Sequence, residues 1–125
     1  MTEVSPVLRE NVILDKSKAF AVRIVRLYQY LREEKREYVL SKQLLRSGTS
    51  IGANARESVY AQSKADFYSK LHIALKEAGE TAYWLELLSE TGYLSEKHFQ
   101  SIYSECEELT RLLTAITKHK NATQE

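Results

Sequence analysis

The chain has 125 residues, 43% of them apolar and 28% charged, with four Gly and a single Pro, Pro6. That length suits one hydrophobic core and leaves little room for a second, and so few breakers argue for long helices over many short strands joined by turns. Eighteen basic and 17 acidic side chains leave a formal net charge of +1, so bulk electrostatics makes no case for a nucleic-acid or membrane partner.

After a polar lead over 1–9, the apolar residues Ile13, Phe20, Ile24, Leu27 and Leu31 fall on one face at helical spacing. A first helix is predicted over 10–34, ending in the charge-dense run from Arg32 to Glu37, which has no apolar stripe. The second, over 39–61, places Leu40, Leu44, Ile51 and Ala55 on one face, with Ser47 and Gly48 filling the same stripe. Gly48 and Gly52 together cost about 2 kcal/mol of helix propensity relative to alanine. Small residues at Ser47, Gly48, Gly52, Ala53 and Ala55 would offset that by letting a neighbouring backbone approach or by leaving room for a bulky side chain. The alternative is a break at Arg46-Ser47-Gly48-Thr49, making two short helices; the stripe keeps its phase across the glycines, which favours one.

Ser63 followed by Asp66 reads as a capping box with aspartate in place of the usual Glu or Gln. The third helix, over 64–90, carries Phe67, Leu71, Ala74, Leu75, Ala78, Ala82 and Leu85 in one stripe and ends at Thr91-Gly92, a left-handed C-cap signal. Ser95 caps a fourth over 95–118, with Phe99, Ile102, Cys106, Leu109, Leu113 and Ile116 inward and a frayed tail from about Lys118. The expected architecture is all-α: one domain over 1–125, folded as an antiparallel up-and-down four-helix bundle.

Catalytic groups do not converge. His72, His98 and His119 include no pair at the spacing that puts two ligands on one helical face, and no Glu-x-x-His occurs. Phosphate-loop and dinucleotide glycine patterns are absent. Cys106 lies in an apolar stripe with no base supplied, and Lys76 stands four residues before Glu80, an ordinary surface pair spacing. No catalytic, cofactor-binding or metal-ligating residue is therefore nominated, and no enzyme is expected. One cysteine allows no internal disulfide, and neither a signal-peptide pattern nor a membrane-length apolar run is seen, so a cytoplasmic protein is the expectation.

Two surfaces stand out. Val22, Val25, Ile73, Trp84 and Leu87 lie off the core stripes, as does Leu112, and contiguous exposed apolar area marks interaction surfaces; with Gly52, the first five are candidates for an oligomer interface. Residues 1–62 carry 11 basic and 7 acidic side chains, whereas 63–125 carry 7 and 10. Lys16 and Arg23 share a face of the first helix with Arg26 beside them, and Lys42 and Arg46 share a face of the second with Arg56 on its flank. These six are the candidate nucleic-acid contacts, with Tyr30 or Tyr60 available to stack on bases. A solvated face is the plainer reading of scattered charges, but oligomerisation would repeat each patch and multiply a weak contact.

The segment 43–54, QLLRSGTSIGAN, followed by Arg56-Glu57, resembles the second-helix signature of the bacterial four-helix-bundle proteins encoded in intervening sequences of 23S rRNA genes. AQSKADF at 61–67, Lys70-Leu71, IALKEA at 73–78, Glu80-Thr81 and YWLELL at 83–88 are similar to the family's third helix, and the segments together cover about half the chain. The first and fourth helices agree only in pattern. The resemblance implies an up-and-down four-helix protomer assembled as a homopentameric ring, with no catalytic activity assigned. It also implies kinship with the accessory variability proteins of diversity-generating retroelements, similar pentameric barrels that bind nucleic acid and a reverse transcriptase. Gly79 departs from the pattern, standing where a larger polar residue is expected, and Ala55 stands where a branched apolar one is common. The combined expectation is a non-enzymatic oligomer that binds rRNA or other nucleic acid through repeated basic patches; the alternative is a protein-interaction scaffold such as a reverse-transcriptase accessory protein.

Overall fold

The computed structural model describes residues 6–124, with side chains described over 11–118. Four helices occupy nearly all of it: α1 (Pro6–Glu33), α2 (Leu40–Ser58), α3 (Lys64–Glu90) and α4 (Glu96–Gln124). The first begins four residues before the predicted start because Pro6 opens it; proline is preorganised for the first helical turn, where its missing N–H is not needed. At the other end, α4 continues to Gln124, past the predicted fraying point near Lys118. The predicted end of α2 at 61 moves back to Ser58, after which Val59, Tyr60 and Ala61 donate to carbonyls three residues behind.

Burial follows a three-then-four spacing in each helix. Ile13, Ser17, Phe20, Ile24 and Leu31 are buried in α1, Ser41, Leu44, Gly48, Ile51, Ala55 and Ser58 in α2. In α3 the series is Leu71, Ala74, Ala78, Thr81, Leu85 and Leu88, and in α4 it is Ile102, Cys106, Leu109, Leu113 and Ile116. This is the narrow seam by which helices of a bundle pack ridge into groove. Phe67, Leu75 and Ala82, expected in the α3 stripe, accordingly flank the seam half-buried, while Tyr68, Thr81 and Leu88 take the inward places.

Each helix packs on its chain neighbours, and α1 closes the ring on α4. All four contacts run antiparallel, as the pairs show: Ile24 meets Gly48 and Ser17 meets Gly52; Arg46 meets Glu77 and Glu57 meets Lys70; Ala78 meets Cys106 and Glu86 meets Tyr103; Lys16 meets Glu108 and Arg23 meets Glu105. α2 is continuous through both glycines. A Cβ at Gly48 would lie 2.8 Å from two carbons of Ile24, and one at Gly52 would lie 3.3 Å from the Ser17 carbonyl oxygen. Both are notches into which α1 packs. Between α2 and α3 the buried hydroxyls of Ser47 and Thr81 lie 2.9 Å apart, each also within reach of a carbonyl of its own helix.

The turns are built from local hydrogen bonds. Arg36 takes a left-handed φ of 53°, which lets the Glu37 N–H close α1 on the Leu31 carbonyl. The Glu37 carboxylate then turns to α2 and accepts from the N–H groups of Val39, Leu40 and Ser41 at 3.2, 3.0 and 2.7 Å. Burial works to raise its pKa, but these backbone hydrogen bonds outweigh it and hold the carboxyl below its ordinary value. Ser63 caps α3 by accepting from the Asp66 N–H at 3.0 Å, and the Asp66 carboxylate reaches back to the Gln62 N–H at 3.3 Å. Ser95 caps α4 through the His98 N–H, and Gly92, at φ +86°, ends α3.

Candidate nucleic-acid interface

The six basic residues singled out from sequence do not form one patch. Lys16 and Arg23 point to the α1/α4 seam, where Lys16 pairs with Glu108 at 3.2 Å and Arg23 with Glu105 at 2.9 Å and the Ser101 hydroxyl at 3.2 Å. Arg46 points to the α2/α3 seam and grips Glu77 with both guanidinium arms, at 2.9 and 3.1 Å, while also reaching Glu80. Glu80 accepts in turn from the Trp84 indole N–H at 2.9 Å; that bond and the Arg46 guanidinium hold its carboxyl below the usual range against the opposing effect of burial. These three cations are committed to intramolecular carboxylates.

The α1/α2 seam is different. Small residues, Ala21, Gly52 and Ala53, leave a cleft of about 240 Å³ whose wall includes Lys18 and Arg56. Lys18 and Ala21 also border a wider, shallower one that α1 alone lines, with Val22, Val25, Arg26 and Gln29. No carboxylate lines either cleft. Lys42 lies on the same side of α2, seven, eleven and fourteen residues before Thr49, Ala53 and Arg56, spacings that return to one helical face. Lys18, Arg26, Lys42 and Arg56 are exposed, and none has a side-chain partner among the described residues. Asp15 stands three residues before Lys18 and lines neither cleft.

Lys18 was missed from sequence. Its signal was available: it lies four before Val22 and seven before Val25, on the α1 face that carries both off-stripe valines. The oligomer candidates also separate. Val22 and Val25, 45% and 39% exposed, border the shallow α1 cleft, whereas Gly52 lines the α1/α2 cleft. Ile73 is exposed on α3, whereas Trp84 and Leu87 are half-buried. The Trp84 ring meets Tyr83 edge to face at a centroid distance of 5.0 Å, and Tyr83 is 56% exposed. Leu112 is half-buried against the core.

Cys106 is fully buried, with Sγ 3.4 Å from the Ala78 carbonyl. Burial first, then the carboxylates of Glu107 and Glu86, push its thiol up to about 12, which keeps it protonated and unreactive at neutral pH. Among the described residues no helix is long and apolar enough to cross a membrane.

Across these helices, residues 9–115 match the family model described as 23S rRNA-intervening sequence protein. The chain belongs to that family. The match spans the α1/α2 cleft, the shallower α1 cleft and all the paired cations. This 23S rRNA-intervening sequence protein is also similar to a solved structure from Bacteroides thetaiotaomicron, described as a protein of unknown function from the S23 ribosomal protein family. The two are 57% identical, with a TM-score of 0.87 over 88% of this chain and 98% of that one. Comparison with proteins of curated function gives no match.

Proposed function

We propose that this protein is a non-enzymatic, cytoplasmic nucleic-acid-binding protein whose α1/α2 face tracks a phosphate backbone. The observation that carries the reading is the set of four exposed, unpaired cations, Lys18, Arg26, Lys42 and Arg56, on the outer face of α1 and α2, where no carboxylate lines the clefts that Lys18, Arg26 and Arg56 border. A cation already bonded to a carboxylate must break that bond to take a phosphate; an unpaired one releases only counterions. The family's link to rRNA genes agrees with such a ligand.

Anisotropy titrations of labelled RNA and DNA at several salt concentrations test this. Four phosphate contacts predict a slope of log K against log salt of about −3 for a single strand and about −3.6 for a duplex per protomer. Absent binding at low salt, or affinity indifferent to salt, would refute it.

Assembly as a homopentameric ring belongs to the same reading, with Ile73, Tyr83 and the edge of Trp84 on α3 as the apolar contact. Trp84→Ala should dissociate the ring in light scattering while the α1/α2 face stays open to ligand. If Val22→Glu dissociates it instead, the basic seam is a subunit contact and the nucleic-acid reading fails. A partner-protein scaffold is the second reading, favoured by the same exposed Ile73 and Tyr83. It is supported if Trp84→Ala abolishes capture of a reverse transcriptase or other partner with the oligomer intact.

A further inference from the structure

Arg26 belongs to two surfaces at once. On one side it borders the shallow α1 cleft that it shares with Lys18; on the other it stands over a cleft of about 230 Å³ between α1 and the start of α4. The floor of that second cleft is apolar, made by Leu27, Leu94 and Ile102. Its rim carries Arg26, Tyr30 and His98, all exposed, and none of the three side chains has a partner among the described residues. Arg23 also reaches the rim, but Glu105 and Ser101 hold its guanidinium.

Size and chemistry together limit the occupant. Pockets for drug-sized ligands run to about 300–1,000 Å³, so a space of about 230 Å³ takes a ring and not a whole cofactor. An apolar floor, a free phenol ring 41% exposed and a free guanidinium suit a flat heteroaromatic ring with an anion attached. Within the phosphate-binding reading, that is a nucleobase with its own phosphate. A paired base is stacked inside a duplex and presents no face to such a slot, whereas an unpaired one does.

We infer that the ligand of the basic face is a single strand, one of whose unpaired bases enters the Leu27/Tyr30/Ile102 cleft while its phosphate lies on Arg26. The inference rests on the phosphate-binding reading above and adds strandedness to it.

Four labelled ligands test it at one low salt concentration: a single-stranded RNA of about 12 nucleotides, the DNA of the same sequence, the blunt RNA duplex, and the RNA strand with internal abasic positions. The wild type should bind the single strand about tenfold tighter than the duplex or the abasic strand. Tyr30→Ala should remove that preference by weakening single-strand binding about tenfold, with duplex affinity unchanged as the internal control for folding. Tyr30→Phe, which keeps the ring, should behave as wild type, and Arg56→Gln should weaken single strand and duplex alike. RNA against DNA then identifies which strand the slot prefers. Equal affinity for single strand and duplex, or a Tyr30→Ala variant that binds the single strand as wild type does, would overturn the base slot and leave the phosphate face standing. Failure to bind any of the four would remove the face and the slot together.

Discussion

Three glycines inside helices predict three different outcomes for the same substitution, and Gly48 is the most demanding. A Cβ there would sit 2.8 Å from both Cγ1 and Cγ2 of Ile24 and 3.1 Å from its Cδ1, and Ile24 is fully buried. Because the two nearest carbons are the β-branch itself, no rotation of the side-chain tip relieves the clash. Overpacking of a closed core costs about 1–3 kcal/mol, and three short contacts place this case at the upper end. Alanine returns about 1 kcal/mol of helix propensity, so Gly48→Ala should lose about 2 kcal/mol net. At Gly79 nothing lies within 4 Å of the added carbon, so Gly79→Ala keeps the gain of about 1 kcal/mol. At Gly52 the 3.3 Å approach to the Ser17 carbonyl roughly cancels the gain. Urea unfolding at one fixed protein concentration, followed by far-UV circular dichroism, should show the Gly48→Ala midpoint falling and the Gly79→Ala midpoint rising with m unchanged. In thermal melts the shifts should be about 6–10 °C down and 3–5 °C up. Ile24→Ala should cost at least about 1 kcal/mol less in the Gly48→Ala background than in the wild type, since there the truncation also relieves the clash. A Gly48→Ala protein as stable as the wild type would refute the packing argument.

Glu37→Gln keeps the shape of the cap but offers one acceptor oxygen to three N–H groups and should cost about 1–2 kcal/mol. Since the folded state holds the Glu37 carboxyl below its ordinary value of 4.5, that stabilisation is full above 4.5 and is lost as pH falls through the lowered folded value; urea midpoints of wild type and variant should converge in acid. Arg36→Gly should raise stability by about 0.5–1 kcal/mol, because a left-handed φ of 53° strains any residue with a Cβ; an unchanged melting temperature would count against this. Arg56→Gln should lower the salt slope of nucleic-acid binding by about 0.7–0.9, whereas Arg46→Gln, whose guanidinium is held by Glu77 and Glu80, should leave the slope unchanged.

The helices were legible because their burial repeats every three and four residues, and because Ser63, Ser95 and Gly92 mark ends by side-chain or backbone chemistry that acts at their own positions. The Glu37 cap was not legible. The residue at the α2 N-cap is Val39, which has no side-chain acceptor, and the oxygen comes from two residues earlier across a turn that depends on Arg36 adopting an unfavourable φ. Likewise, Phe67 and Leu75 satisfy a broad helical stripe as well as Tyr68 and Thr81 do; only packing against the neighbouring helices selects the narrower seam. Gly79 answers to the same distinction, since it occupies the outside of α3 with open space around it and requires no glycine for packing.

Charge shows most clearly what topology adds to a sequence. The excess of cations in 1–62 and of acids in 63–125 looks, along the chain, as though it could cancel completely once the halves pack together. The cyclic order of the helices prevents that. α1 has α4 on one side and α2 on the other, and α2 has α1 and α3. Carboxylates from the acidic half can therefore reach the cations on two seams only, and they do so at Lys16, Arg23 and Arg46. Along the α1/α2 seam both walls come from the basic half, so Lys18 and Arg56 stand around its cleft with no acid opposite, and Arg26 borders an α1 cleft that no acid lines either. Helical spacing alone grouped Arg46 with Lys42, yet about 40° of rotation between them on α2 turns one toward α3 and leaves the other free. A net charge near zero is thus compatible with a strongly one-signed seam, provided the two cationic helices are neighbours in the ring.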